Sequence, residues 1–224
     1  MSRFRPPLCA SLFLLCVACT GVPLVDETGD GETGDGETGT ENQLCGQPCG
    51  LDAETIDNSL VVCEGASGKE GSRDDPFGTI AEALAANDGE EYRLVLGPGG
   101  HKVNLHLTEE AWIQGCGSDQ GVQLTADDPS KALITLEGPA DFHLSGMVLK
   151  GGTIGLHAKG SAQVFAQDLR IEDPVTAGIV IAGTGSWFRG QGVSVVNPIP
   201  AGVRDGTTSA YGMIADGGTL FLDE

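Results

Sequence analysis

Short segments in which apolar and polar residues alternate recur through the second half of the chain, and each closes on a glycine. Each of four such segments has a large apolar residue in second place and a small or apolar residue in fourth place. They span residues 133–138, 155–160, 178–183 and 212–217, and their closing glycines are 22, 23 and 34 residues apart. Because successive side chains of a strand point to opposite faces, this alternation predicts four short strands.

A second set of strands is predicted between the segments of the first set, over residues 142–149, 164–171 and 188–195. Aligning them predicts three inward columns of apolar residues: Phe142, Val164 and Phe188; Met147, Leu169 and Val193; Leu149, Ile171 and Val195. A repeat of about 22 residues with period-two strands inside it is typical of a β-solenoid, whose turns bury their inward residues against the turns above and below. Leucine-rich repeats share the period, but their Leu and Asn pattern is absent.

A helix is predicted ahead of the repeats, over residues 80–86. Ile80, Ala83 and Leu84 recur at helical spacing, and Thr79 is a suitable N-cap. The order DPFGTIAEAL, then YRLVLGPGG, then WIQGCG resembles the start of pectin-lyase-like β-helix proteins, in which an amphipathic helix covers the open end of the solenoid. The expected fold class is therefore all-β: a right-handed parallel β-helix over residues 74–224 with a short N-terminal capping helix, preceded by a disordered signal and linker region.

The first 19 residues have the proportions of an export signal. Arg3 and Arg5 precede an apolar run at residues 8–18, which is too short to span a bilayer as a stable helix. The run ends in CVAC at residues 16–19, which resembles the bacterial lipoprotein signal. The resemblance implies a signal peptide over residues 1–18, a lipid on Cys19, and a place in the cell envelope, at the outer membrane or cell surface. Simple secretion is the alternative, because Cys16 stands where leucine is usual.

The segment after the signal is acidic and almost devoid of apolar residues. Residues 19–43 repeat Glu-Thr-Gly-Asp-Gly, and such a composition predicts a disordered tether because it buries too little surface to offset its conformational entropy. The formal net charge of the whole chain, −20, argues against nucleic acid and anionic lipid headgroups as partners. Calcium is the one cofactor that this charge favours, but the sequence shows no ligand cluster for it, and the sequence predicts no metal site.

Seven cysteines are present, and their number fits the lipoprotein reading. Cleavage before Cys19 removes two and the lipid takes a third, which leaves four for two disulfides in an oxidising compartment. These are Cys45, Cys49, Cys63 and Cys116. Three connectivities are open: Cys45 and Cys49 are close enough to pair locally, and Cys63 would then tie a cysteine-containing segment, residues 44–73, to Cys116. A zinc site is the alternative, although a second closely spaced pair is lacking.

Two features near the C-terminal end bear on function. The last repeat is longer by about eleven residues, which fall within residues 197–209 and predict a protruding loop. Protruding loops on rigid scaffolds often bind ligands, so Arg204 and Asp205 are candidate ligand contacts. Residues 220–224 read as the opening of another strand with no capping element after it. We therefore expect the chain to be a truncated piece of a longer solenoid; pairing of two copies through this edge is the alternative.

The sequence predicts no catalytic residues. Asp168 and Glu172 share a predicted strand and would point to one side roughly 13 Å apart, which exceeds the separation of a glycosidase pair. The aligned coils predict no row of acids across neighbouring coils of the kind a calcium-dependent lyase requires. His143, Phe165 and Arg189 are predicted to form one outward stack, which is either a stabilising ladder or a platform for sugar rings. These three are the remaining candidate ligand contacts.

The sequence therefore favours an exported, lipid-anchored surface β-helix that acts as a binding scaffold. The partners expected are a polysaccharide or a cell-surface protein, with contact to the membrane through the lipid anchor only. The alternative is a polysaccharide lyase or glycoside hydrolase whose active coils lie beyond Glu224 or use the loop at residues 197–209. One fold can host many unrelated functions, so the function depends on the site, and the outward stack is the candidate site.

Overall fold

A computed structural model describes residues 43–87, 91–116, 121–198 and 211–223. The predictions for the signal peptide, the lipidated Cys19, the linker over residues 19–43 except its last residue, and the loop residues Arg204 and Asp205 lie outside these ranges. The described part is a mostly parallel all-β structure with two short helices. The helices are α1 (Ala53–Asp57) and α2 (Ile80–Ala86).

The strands, in chain order, are β1 (Gln43–Leu44), β2 (Gln47–Pro48), β3 (Leu60–Val62), β4 (Glu91–Leu96), β5 (Gly99–Lys102), β6 (Leu105–Leu107), β7 (Glu110–Gly115), β8 (Val122–Thr125), β9 (Ile134–Glu137), β10 (Asp141–Lys150), β11 (Ile154–Lys159), β12 (Gln163–Glu172), β13 (Ala177–Ala182), β14 (Trp187–Gln191), β15 (Ser194–Val196), β16 (Tyr211–Asp216) and β17 (Thr219–Asp223). All strands but β1 and β2, which form an antiparallel hairpin, pair in parallel. This pattern establishes the expected all-β parallel β-helix.

The coils of the solenoid have three faces. The first face contains β3, β4, β7, residues 141–145 of β10, residues 163–167 of β12, β14 and β17. The second contains β5, β8, the remaining halves of β10 and β12, and β15. The third is a separate five-stranded sheet of β6, β9, β11, β13 and β16. Each coil crosses the three faces in turn, so neighbouring coils pair strand by strand.

The closing glycines recognised in the sequence lie at the corner between the third and first faces. Gly138, Gly160, Gly183 and Gly217 follow β9, β11, β13 and β16, and all four have positive φ values. A positive φ is costly for most side chains, which explains why this corner repeats a glycine in each coil. In the third face, Leu156 pairs with Ile134 on one side and with Ile179 on the other, and Ile179 pairs with Met213. This register confirms the predicted alignment of the four segments.

The inward columns form the core as predicted. Phe142 pairs with Val164 and Val164 with Phe188, and all three side chains are fully buried. Leu149, Ile171 and Val195 make a second column on the second face. The predicted strand over residues 164–171 differs from the structure in one respect. It bends at Asp168, whose φ is +50°.

This bend corrects the expectation that Asp168 and Glu172 point to the same side of one strand. Asp168 lies at the corner between the first and second faces, whereas Glu172 lies on the second face and pairs with Arg170 at 2.7 Å. Gly146 and Gly192 occupy the matching corner in the neighbouring coils with positive φ. Aspartate tolerates the left-handed region better than most residues, so its side chain does not continue the alternation of the strand.

Helix α2 caps the N-terminal end of the core, as expected from its sequence. The side chain of Thr79 accepts a hydrogen bond from the backbone N–H of Glu82, and the hydroxyl of Thr79 donates to the Glu82 carboxylate at 2.9 Å. The first of these bonds satisfies a backbone N–H at the start of a short helix, as an N-cap threonine typically does. Ile80 and Ala83 are buried in the core cluster beside Val62. The helix therefore covers inward residues of β3, the strand at one end of the first face.

The four cysteines form two disulfides, but not in the local pairing considered above. Cys45 bonds to Cys63, and Cys49 bonds to Cys116. The hairpin of β1 and β2 accounts for this, because Cys63 directly follows β3 and Cys116 directly follows β7. One cysteine of the hairpin therefore reaches each of two coils, and the cysteines do not form the alternative zinc site. Disulfides of this kind are typical of extracellular and cell-surface proteins.

The segment before α2 is part of the solenoid rather than a separate piece. β3 pairs with β4 over Leu60–Leu94, Val61–Val95 and Val62–Leu96. A second buried cluster forms on the outer side of these strands and contains Leu44, Ile56, Val61 and Val95 with three of the cysteines. The hairpin and α1 thus cover the outward side of the first face at its N-terminal end, and the rest of that face stays open.

Candidate binding groove on the first face

Parallel pairing stacks the outward side chains of the first face into columns that run along the solenoid. The central column begins with an arginine, continues through three rings and ends with an arginine and a ring. Its members are Arg93, Trp112, His143, Phe165, Arg189 and Phe221. The structure therefore brings the predicted trio of His143, Phe165 and Arg189 into one column and extends it in both directions.

The rings of the central column stack on one another. The ring centroids of Trp112 and His143 are 3.6 Å apart with an interplanar angle of 8°. Those of His143 and Phe165 are 4.6 Å apart at 7°, and Arg93 covers Trp112 with its Cζ atom 5.5 Å from the ring centroid. The faces of the Trp112 and His143 rings are thus turned toward their neighbours, and their edges point outward.

Two polar columns flank the rings. On one side, amide, hydroxyl and carboxylate side chains follow one another: Gln114, Ser145, Gln167, Gln191 and Asp223. On the other side, the column begins with acids and ends with an indole and a hydroxyl: Glu91, Glu110, Asp141, Gln163, Trp187 and Thr219. The first face therefore offers a strip of rings between two strips of hydrogen-bonding groups.

Contacts between and within the columns hold these side chains in place. Arg93 Nε lies 2.7 Å from the Glu91 carboxylate, and Arg189 Nε lies 2.8 Å from the Asp223 carboxylate. The indole N–H groups of the two tryptophans are also used: Trp112 donates to Glu110 at 3.3 Å, and Trp187 donates to Gln163 at 3.1 Å. The side chains of the face are therefore oriented by their neighbours, which lowers the entropy that a ligand has to offset on binding.

Burial lowers the pKa of His143 below its usual value, and the nearby carboxylates of Asp141, Glu110 and Glu91 act in the opposite direction. Burial disfavours the charged imidazolium, and here this effect is the larger one. His143 is accordingly neutral at neutral pH, with one ring nitrogen as a donor and the other as an acceptor. The centre of the face is therefore uncharged at the ring stack.

A continuous concavity follows these columns, and we call it the lateral groove. Its middle part has a volume of about 300 Å³ and is lined by side chains of all three central rings and of the amide column, among them Trp112, Gln114, His143, Phe165 and Gln167. A neighbouring concavity toward α1 shares Trp112 and Gln114 with it, and another toward β17 shares Phe165, Arg189 and Asp223. The groove thus runs across the strands of the first face.

A row of acids that the sequence alignment did not identify lies at one edge of the groove. Glu91 aligns with Glu110, and Glu110 and Asp141 each precede the paired residues Ala111 and Phe142. The coils before residue 133 lack the closing glycines that set the alignment of the later ones. A repeated triplet was the available signal, because an acid stands two residues before Arg93, Trp112 and His143.

Within the ranges that the structure describes, no group of three or more His, Cys, Asp or Glu side chains is arranged to hold a metal ion. Neither described helix is long and apolar enough to cross a membrane. Most of the predicted loop over residues 197–209 lies outside the described residues. The strand before it, β15, lies on the second face, and the strand after it, β16, lies on the third face.

Comparisons with known proteins give little beyond the fold. No protein-family model matches the sequence, and no curated protein matches it. Among solved structures, the chain is similar to a pectin methylesterase crystallised in complex with a hexasaccharide, with a TM-score of 0.46 and 13% sequence identity. The similarity covers 75% of this chain and 67% of the other. The parallel strand pairing described above, rather than this likeness, establishes the β-helix.

Proposed function

We propose that the protein is an exported surface scaffold that binds a glycan in the lateral groove. The observation that carries the proposal is the strip of rings between two strips of hydrogen-bonding groups on one open face. Sugars present apolar C–H surfaces together with many hydroxyl groups, and binding sites for such ligands combine aromatic surface with a few well-placed polar groups. The groove has both, and its polar groups are held by ion pairs and hydrogen bonds.

The direction of the groove fits a chain-like ligand. Neighbouring strands of a sheet are about 4.8 Å apart, so the five steps from Arg93 to Phe221 span about 24 Å. A hydrogen-bonding side chain stands at each step of one flanking column, which contains Gln114, Ser145, Gln167, Gln191 and Asp223. A ligand that repeats its own chemical unit along its length meets the same kinds of groups again at each coil, which favours a polysaccharide over a single sugar.

The binding proposal is tested with a panel of soluble polysaccharides and two histidine variants. His143 lies in the ring stack of the lateral groove, whereas His157 points outward on the third face. Both side chains are partly buried, so they make a matched pair. H143A removes the ring between Trp112 and Phe165, and we expect it to weaken binding in isothermal titration calorimetry, while H157A binds as the wild type does.

Equal losses in the two variants, or no binding of the wild type to any glycan of the panel, would contradict the proposal. The size of the polysaccharide after each titration distinguishes the enzymatic alternative, because a lyase or hydrolase would release shorter oligosaccharides from it. Arg204 and Asp205 remain proposed contacts of the protruding loop. The double variant R204A/D205A tests them in the same assay, and unchanged affinity would remove them from the site.

We also propose that the protein is anchored to the cell envelope through a lipid on Cys19. The export-signal pattern of the first 19 residues supports this proposal, as does the even number of cysteines that remain after it. Both disulfides form among those remaining four. Mass spectrometry of the N-terminal peptide from the native host is expected to show cleavage before Cys19 and a lipid mass on it. An unmodified Cys19 in a mature, secreted protein would support the secretion alternative.

A further inference from the structure

The lateral groove changes character beyond Phe165. Up to that residue, each ring of the central column has a neighbour stacked on it. Trp187 meets Phe165 edge-on instead, with centroids 4.7 Å apart and an interplanar angle of 84°. The regular stack therefore ends here, and the aromatic surface that follows is arranged at an angle to it.

A cleft opens at this point, and we call it the ring cleft. It has a volume of about 440 Å³ and is lined by Phe165, Trp187, Arg189, Thr219, Phe221 and Asp223. Three of these six residues are aromatic: Phe221 is 53% exposed, and Phe165 and Trp187 are partly buried. Together they form a contiguous aromatic surface, and contiguous apolar patches mark sites of interaction more often than isolated apolar residues do.

The polar groups of the ring cleft lie at its rim. The ion pair between Arg189 and Asp223 uses Nε of the guanidinium at 2.8 Å, and a guanidinium has further N–H donors on its two terminal nitrogens. Thr219 adds a hydroxyl that can both donate and accept. The cleft therefore combines apolar ring surface with donors and acceptors that match hydroxyl groups.

The charges along the groove favour uncharged glycans over acidic ones. Its two arginines, Arg93 and Arg189, are each paired with a carboxylate. Glu110 and Asp141 form no ion pair within the part of the chain that the structure describes, so the face keeps an excess of negative charge. The chain as a whole carries a formal charge of −20. A polyuronate would bring one carboxylate per sugar to this face and meet repulsion without a cation to offset it.

We infer that the ring cleft is the subsite that holds one sugar ring of an uncharged glycan, stacked on Trp187 and Phe221. This inference rests on the proposed function and adds the ligand class and the place of the stacking contact. The rings of Trp112 and His143 position the groove and present their edges, whereas the sugar face packs in the ring cleft. The Arg189–Asp223 pair meets the hydroxyl groups of the same sugar.

The test uses the full chain with two uncharged polysaccharides, hydroxyethylcellulose and galactomannan, and one polyuronate, polygalacturonate. We expect the wild type to bind at least one uncharged polymer and to bind polygalacturonate more weakly. F221A is expected to weaken binding to the uncharged polymer by roughly three- to tenfold, the effect of losing one aromatic contact. Y211A is the matched control, because Tyr211 is 50% exposed but lies on the third face.

The outcomes separate this inference from the proposed function. Preferential binding of polygalacturonate would overturn the uncharged class while leaving glycan binding in place. If F221A binds as tightly as the wild type, the ring cleft is not the sugar subsite. If the wild type binds none of the three polymers, the proposed function itself is contradicted. If F221A does not fold, as judged by circular dichroism, F221L replaces it: it keeps an apolar side chain and removes the ring, so the same loss of affinity is expected.

Discussion

At the scale of single residues, close packing between coils leaves no space for a side chain at certain strand positions. Gly155, Gly178 and Gly212 occupy equivalent places in β11, β13 and β16. A Cβ atom on Gly178 would lie 2.5 Å from Cγ1 of Val195 and 2.6 Å from the carbonyl oxygen of Gly212. The same atom on Gly212 would meet nothing within 4 Å among the described residues. The requirement for glycine therefore comes from the coil packed above, not from the strand itself.

This contrast gives a prediction with a built-in control. G178A is expected to lower the free energy of unfolding by about 1–3 kcal/mol, because overpacking forces backbone or side chains to shift. G212A, at the equivalent place in the next coil, is expected to change it much less. Urea unfolding followed by circular dichroism measures both. Similar losses for the two variants would show that the close approach between coils does not set the requirement.

The two histidines with lowered pKa values predict how stability depends on pH. Burial is the main cause for His143 and for His157; acids oppose it at His143, while at His157 Lys159 adds to it and Glu137 opposes it. The unfolded chain therefore takes up protons first as the pH falls. Stability is full above the ordinary histidine pKa of about 6.5 and decreases as the pH falls through the lowered values.

The double variant H143F/H157F tests this dependence. Phenylalanine keeps a ring at both positions, so it preserves the stacking of His143 on its neighbours and removes the titrating group. The wild type is expected to melt at a lower temperature at pH 5.5 than at pH 7.5, and the variant is expected to show a smaller difference. An unchanged difference would mean that other groups cause the loss. The interval stays above the ordinary carboxylate range of about 4, so acids contribute little to it.

At the scale of elements, the hairpin of β1 and β2 is the device that fastens the N-terminal segment to the solenoid. Cys45–Cys63 closes a separation of 18 residues, and Cys49–Cys116 closes one of 67. Both disulfides lie beside the buried cluster that contains Leu44, Ile56 and Val95. The longer link ties the hairpin to the end of β7, which is two strands away from β3 in the first face.

Chain entropy predicts different costs for removing the two links. Loss of the longer disulfide in C49S/C116S is expected to cost about 4 kcal/mol, and loss of the shorter one in C45S/C63S about 3 kcal/mol, since the entropy of the unfolded chain rises with loop length. Chemical unfolding of each variant under identical conditions measures the order. A larger loss for the shorter link would show that contacts in the folded hairpin, rather than the unfolded chain, determine the effect.

The sequence predicted the elements well where each coil repeats the same corner. The glycines that close β9, β11, β13 and β16 fixed the alignment, and Thr79 marked the start of α2. The earlier coils lack this mark, so the pairing of Glu110 beside Asp141 was missed. The bend at Asp168 was also missed, because an aspartate can adopt a positive φ without any change in the alternating pattern.

The candidate site was predictable in part for the same reason. His143, Phe165 and Arg189 lie in coils whose alignment the glycines set, and they share a column as predicted. Trp112 belongs to an earlier coil and was not connected with them. The disulfide pairing depends on where the hairpin lies against the first face, and that contact is made by buried side chains such as Leu44 and Ile56 rather than by any local pattern.

At the scale of the whole solenoid, the parallel pairing turns a short pattern into an extended surface. Each coil contributes one residue to each column, so the spacing of groups along the groove equals the spacing of strands. Inward columns build the core, while the outward columns of the first face line the groove. Stability and the proposed binding therefore depend on alternate residues of the same strands, for example Phe142 for the core and His143 for the groove.

The most direct test of the account is to map where a glycan covers the protein. Hydroxyl-radical footprinting with mass spectrometry reports the exposure of aromatic side chains with and without the uncharged polysaccharide that binds in the titrations. We expect protection of Trp187, Phe165 and Phe221 in the lateral groove and no protection of Tyr211 on the third face. Protection of Tyr211 without protection of Trp187 and Phe221 would contradict the central claim that the first face is the binding surface.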